Sequence, residues 1–244
     1  MSESSSDKEQ TQPANDTNLN YWLDSWQNNK IGFHRKIISK LFQSYLIPKL
    51  TSSEQKQLCV VFPLCGKTLD MIAVLDNGHR VIGIEGSQTA INAFFNENNI
   101  SYEIENDESN QCQIYKGTDR PITIYCTDFC SFNKTLPSID YIWDRGGLVA
   151  INPLDREPYR DCLLRMMTRE QTQLFLVAIN YNDPDYTPPP HILSDDNVNN
   201  LFGNECSIEL LEVHDETDEF NGRVGRQAIK QIEERIHLVI RKSK

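Results

Sequence analysis

This chain of 244 residues has no CxxC pair, no HExxH pattern and no apolar run long enough to cross a bilayer. Each absence excludes something. A helix that spans the hydrocarbon needs ~18 or more consecutive apolar residues, so no membrane helix is expected. The opening segment, MSESSSDKEQTQPANDTN, lacks the basic and apolar regions of a secretory signal, which predicts a protein of the cytoplasm. Seven cysteines fit a compartment where thiols stay reduced. Cys126 and Cys130 stand one residue too far apart for CxxC, and five histidines form no ligating pattern, so no metal is expected. Positive charge is short as well: 24 Lys and Arg stand against 35 Asp and Glu, a net charge of −11. That balance repels nucleic acid and anionic membrane and leaves a small molecule as the expected partner.

One further absence concerns FPLCGKTLD, residues 62–70. Its Gly-Lys-Thr matches the end of a phosphate-binding P-loop, GxxxxGK[ST], whose first glycine must stand five positions before the second. With Gly66 as the second, that position holds Val61, inside the apolar run LCVVF. The P-loop reading fails there.

What is present has a clear order. Residues 1–18 are Ser, Asp, Glu, Gln, Thr and Asn, and read as a disordered tail before a single domain, 19–244. YWLDSWQNNKIGF (21–33) carries two tryptophans and a phenylalanine. Apolar residues at 37, 38, 41, 42, 45 and 46 predict a helix closed by Pro48. Strands are then expected at 58–62, 80–85, 122–128, 139–144 and 172–180. Helices are expected in KTLDMIAVLDNG, in SQTAINAFFNEN with Ser87 as N-cap, at 155–168 and in SDDNVNNLFG. CSIELLEV and ERIHLVIRK have no long helix between them and read as an antiparallel hairpin with a long loop. Strand–helix alternation of this kind predicts an α/β fold: a mostly parallel sheet with helices on both faces and ligand at the carboxyl ends of the strands.

Those strand ends are PLCGK, IEGS, TDF and WDRGG. Glu85 lies 19 positions after Gly66, near the spacing at which an acid accepts from a ribose hydroxyl; it also suits the amino end of the next helix as a cap. A dinucleotide requires GxGxxG, and PLCGKT has one glycine, so a nucleoside ligand without phosphates such as S-adenosylmethionine fits the turn better. Asp128 is placed to accept from an adenine amine, with Phe129 packing nearby, or to cap the loop that follows. Cys65 reads as packing filler.

The segments YWLDSWQNNKIGFH, VFPLCGKTLDM, VIGIEGS, YIWDRGGLVAINPLDR and ERIHLVIRK resemble the thiopurine S-methyltransferase family, from Tyr21 to the C-terminus. The resemblance implies a class I (Rossmann-like) methyltransferase sheet of seven strands, the last antiparallel. It implies methylation of sulfur with S-adenosyl-L-methionine as donor. By position it implies cofactor contacts at Trp22, Trp26, Phe33, Leu64, Glu85, Asp128, Phe129 and Arg145. Substrate contacts fall on Phe33, Arg145 and Arg223, with Arg226 an equal candidate because EFNGRVGRQ (219–227) departs from the family pattern.

Methyl transfer from a sulfonium needs alignment and exclusion of water more than covalent help. Arg145 is expected to act on the substrate by favouring its thiolate, or else to pair with Asp144. The segment 21–33 is either a staple on the sheet or a lid over the strand ends. TPPPH (187–191) is either a wall of the same pocket or a stiff loop. Two rivals stand beside the methyltransferase reading: an NAD-type oxidoreductase, which the missing GxGxxG opposes, and a cofactor-binding protein without activity. A monomer is expected.

Overall fold

A computed structural model describes residues 17–52, 56–108, 112–168, 171–224 and 228–243. Among them the chain order is α1 (Leu19–Gln27), α2 (Lys40–Tyr45), α3 (Ile47–Thr51), β1 (Cys59–Pro63), α4 (Asp70–Asp76), β2 (Arg80–Glu85) and α5 (Gln88–Glu97). There follow β3 (Tyr102–Asp107), β4 (Cys112–Gly117), β5 (Ile122–Cys126), β6 (Tyr141–Arg145), α6 (Arg156–Met166) and β7 (Gln173–Tyr181). The last elements are α7 (Asp195–Phe202), β8 (Cys206–Asp215), α8 (Thr217–Val224) and β9 (Ile232–Arg241).

All nine strands share one sheet, in the order β3-β4-β5-β2-β1-β6-β7-β9-β8. From β5 to β7 neighbours run parallel, and β9 lies antiparallel between β7 and β8. The seven-stranded core is the expected one. The β3–β4 hairpin is an addition at the edge, and the sequence reading missed it. β1 is buried along its whole length, as its unbroken apolar run requires of a central parallel strand. Two hydrophobic layers sandwich the sheet, one around Phe42, Phe62, Phe94 and Trp143 and the other around Phe129, Tyr159, Leu163 and Phe202.

Local signals account for the helix starts. Ser87 Oγ accepts from Ala90 N at the head of α5, and Ser194 with Asn197 forms a capping box at the head of α7. Three boundaries differ from expectation. Pro48 does not close a helix at 46; it sits in the first turn of α3, where its missing N–H leaves no bond unmade. Ile37 and Ile38 precede α2 rather than belonging to it. The link between β8 and β9 holds α8, a helix too short to announce itself in TDEFNGRV. Residues 1–16 of the expected tail lie outside the described residues. Thr17 and Asn18 belong to the fold: Thr17 is buried, and Asn18 caps α1 by accepting from Tyr21 N.

Candidate active site

A cavity of ≈ 420 Å³ opens at the carboxyl ends of β1, β2 and β6. Its floor is the turn after β1, where Leu64 (φ 42) and Gly66 (φ 50) adopt left-handed backbone. For a leucine that conformation costs on the order of 1 kcal/mol, and strain of this kind gathers at ligand sites. Glu85, at the end of β2, holds the turn in place. Its Oε2 accepts from Gly66 N at 2.8 Å and its Oε1 from Ser87 N at 2.7 Å. Burial raises the carboxyl's pKa, and the backbone N–H groups of Ser87, Gly66 and Gly86 oppose that rise. Cys65 beside it is sealed from water and its thiol pushed well up, which leaves it protonated and unreactive, as packing filler should be.

The roof is the segment from α1 to Ser39. Trp22 and Trp26 pack edge-on against Phe33, with ring centroids 5.1 and 5.5 Å apart. A Cβ at Gly66 would stand 3.0 Å from Trp26, and one at Gly86 would stand 2.6 Å from Leu19. The glycines let roof and floor touch. The indole Nε1 of Trp22 is buried without a hydrogen-bond partner. Three fastenings hold the roof. Thr17 Oγ1 meets Asn152 Oδ1 and His191 Nε2, each at 2.9 Å. Ser39 N donates to Asp70 Oδ1, whose other oxygen accepts from Trp143 Nε1. Arg35 pairs with Glu216 and Glu219. Of the two readings of segment 21–33, the lid is the one built. Pro189 and Pro190 line the cavity too, so the proline run is one of its walls.

In the same cavity three guanidinium groups face buried acids. Arg145 bonds Glu234 (2.8 Å), Arg223 Nη2 lies 3.4 Å from Glu216, and Arg35 Nη1 lies 3.7 Å from Glu234. Arg223 also donates to the Phe33 carbonyl at 3.0 Å, tying the lid to α8. Burial and the neighbouring Arg145 bring Arg35 down to about 10. Burial alone would raise Glu234, yet Arg145 and Arg35 outweigh it and hold the carboxyl below its usual range. His34, desolvated and close to Lys67, falls to about 4 and is neutral at ordinary pH.

Of the residues singled out in the sequence, Trp22, Trp26, Phe33, Leu64, Glu85, Arg145 and Arg223 all line this cavity. Asp128 and Phe129 do not. Asp128 accepts from Cys130 N and Ser131 Oγ and caps a 3-10 turn, while Phe129 is fully buried against Tyr159. Asp144 does not pair with Arg145. Adjacent strand residues face opposite sides, and Asp144 turns away to accept from Gly147 N and Leu148 N, with burial raising it to about 6. Arg226 lies outside the described residues. Sequence reasoning missed Arg35, Asp70, Glu216 and Glu234. Glu234 left a trace: Ile232, Glu234 and Ile236 share one face of β9, and a carboxylate between two buried isoleucines demands a partner.

Sheet order and site position define an α/β methyltransferase fold. Solved structures agree: a Burkholderia thailandensis 1,6-didemethyltoxoflavin-N1-methyltransferase matches with TM-score 0.60 at 9% identity, over 92% of this chain and 87% of that one. A Synechocystis magnesium protoporphyrin IX methyltransferase matches with TM-score 0.56 at 12% identity, over 94% and 100%. Sequence is more specific than fold. The model of the thiopurine S-methyltransferase family matches residues 17–242. The Bos taurus thiopurine S-methyltransferase is 37% identical over 226 residues, 92% of this chain and 90% of the relative. A probable thiopurine S-methyltransferase of Danio rerio is 34% identical over 92% and 95%. The chain belongs to the thiopurine S-methyltransferase family.

Proposed function

We propose that this protein moves the methyl group of S-adenosyl-L-methionine to the sulfur of thiopurines and other aromatic or heterocyclic thiols. The observation that carries the reading is that Glu85 and the pair Arg145 and Arg223 line one lidded cavity. The names of the relatives support the substrate class. Bound S-adenosylmethionine in the Synechocystis structure and S-adenosylhomocysteine in the Burkholderia structure support the donor.

The residues present fit that donor. Glu85 keeps lone pairs for ribose hydroxyls beyond the two N–H groups it already accepts. The unpartnered Trp22 indole offers a buried donor, and Trp26, Phe33 and Leu64 supply apolar walls. When bound, the donor supplies an electrophilic methyl on a sulfonium. Arg145 and Arg223 favour the thiolate of the substrate, Phe33 packs on its ring, and the lid excludes water. Contacts at Asp128 and Phe129 are not needed for this. The reading takes the protein as a cytoplasmic monomer of one domain preceded by a tail, acting on a small molecule. It involves no nucleic acid, membrane or metal, and the net charge of −11 supports that choice of partner.

The test is transfer of labelled methyl from S-adenosylmethionine across a panel of aromatic, heterocyclic and aliphatic thiols and selenols. Methylation of the aryl and heterocyclic thiols is expected. Donor binding without turnover of any thiol would indicate a binding protein instead, and turnover of selenols alone would move the substrate class.

A further inference from the structure

Methylation of a thiol releases a proton. The S–H bond breaks and its electron pair stays on sulfur. That sulfur bonds the methyl carbon, and the methyl–sulfonium bond breaks with its pair left on the donor as a neutral thioether. One H⁺ remains inside a cavity roofed by residues 17–39.

The acids in that cavity are not equivalent. Glu85 and Asp70 use both oxygens on backbone N–H groups and an indole. Glu216 is different, because it begins a string of titratable groups that leads outward. Glu212 and His214 stand two apart in β8 and so share one face, Glu216 follows one residue past the strand's end, and His214 pairs across the ladder with Glu234. Glu216 Oε2 lies 3.9 Å from His214 Nε2, and His214 Nδ1 lies 3.7 Å from Glu212 Oε1. Exposure rises along the string, from 3% at Glu216 to 25% at His214 and 39% at Glu212. His214 Nε2 is itself buried with no hydrogen bond. Such an imidazole nitrogen has a role to fill, since the ring takes a proton on one side and gives it up on the other.

We propose that Glu216, His214 and Glu212 form the proton exit of the reaction cavity, an inference that rests on the methyl-transfer reading above. Glu216 takes the thiol proton, passes it to His214 Nε2, and the proton on Nδ1 leaves through Glu212 to solvent, restoring the carboxylate. The two gaps are 3.9 and 3.7 Å, within the reach of small side-chain rotations that bring relay groups to hydrogen-bond distance. The charged groups facing His214 are Glu212, Asp215 and Glu216 on its own segment and Glu234 on β9, with Arg35 and Arg223 beyond Glu216.

His214→Gln and His214→Ala test this with two aryl thiols, one largely protonated at the assay pH and one acidic enough to arrive as thiolate. For the protonated thiol kcat should fall about tenfold or more with KM little changed, and for the thiolate it should fall less than about twofold. Added imidazole should restore the Ala variant. A second measurement is independent of turnover. Mixing the protonated thiol with protein saturated in S-adenosylhomocysteine should release a proton, read by a pH indicator, more slowly in both variants. Equal losses on the two thiols, or unchanged proton release, would overturn the relay alone. If the unsubstituted protein methylates neither thiol, the proposed function falls and the relay falls with it.

Discussion

Both Nε and Nη2 of Arg145 donate to one oxygen of Glu234, Oε1, while the second oxygen, Oε2, stays buried with no hydrogen bond. The pair reaches from β6 to β9 over the intervening β7, so Arg145 is held by a strand that is not its neighbour.

Arg145→Met therefore has two effects. It leaves a buried carboxylate with Arg35 and, farther off, Arg223 for company, which should cost roughly 2–4 kcal/mol, somewhat less than a fully buried pair. Urea denaturation would measure it. The loss in kcat/KM should also depend on pH, large below the pKa of the free thiol and shrinking above it, because thiolate then forms unaided. A pH-independent kinetic loss would mean that the arginine only braces the sheet.

Glu85→Ala should weaken S-adenosylmethionine binding by about 10- to 100-fold, the equivalent of a lost charge-assisted bond. It should also lower the melting temperature, since Gly66 N and Ser87 N lose their acceptor. Calorimetry on Glu85→Gln, which keeps an acceptor for one of them, should show a smaller change in both. Unchanged affinity in a folded Ala variant would remove Glu85 from the site.

Asp144 predicts a pH dependence of stability. Its folded carboxyl sits at about 6, above the ordinary 3.8, chiefly because of burial. Between those values the folded state holds a proton that the unfolded state has lost. Asp144 therefore makes the protein less stable as pH rises from about 4 to about 6, on the order of 2–3 kcal/mol, and contributes no further change above that. Asp144→Asn should flatten this part of the profile. Parallel profiles for the two proteins would refute the assignment.

The N-terminal boundary can be tested by truncation. Removing residues 1–16 should leave melting temperature and donor affinity unaltered. Removing two more should cost about 1–3 kcal/mol, from the Thr17 bonds and the Asn18 cap together, and should loosen the lid. Thr17→Val isolates the hydroxyl, which bridges Asn152 and His191. Truncation through Phe33 should abolish donor binding.

The sequence was most legible where one residue's neighbours along the chain decide its fate. β2 falls on the expected residues, 80–85, and Ser87 caps α5 as expected. The β3–β4 hairpin escaped because YEIEND is mostly polar: Glu103, Glu105 and Asp107 take one face, the other carries only Tyr102, Ile104 and Asn106, and Ile104 is solvent-exposed at the sheet edge. Pro48 misled because proline both ends helices and begins them. In the site, Glu85 followed from its place at a strand end, and Arg145 and the aromatic lid residues from the family resemblance, whereas Arg35, Glu216 and Glu234 were not found. They meet only because α8 and β9 bring the C-terminal hairpin against the lid, and no local pattern encodes such a meeting. The partner of Arg145 was misjudged for a related reason. Asp144 is next in sequence but on the other side of the sheet, and the true partner is 89 residues away.

All three tryptophans of the chain, Trp22, Trp26 and Trp143, line the one cavity. Intrinsic tryptophan fluorescence of the folded protein therefore has no distant background. Two emitters ride on the lid and the third is anchored to the floor through Asp70. Filling the cavity, or lifting its roof, should change the emission of the whole molecule, so the protein carries its own optical probe of occupancy and closure without any added label.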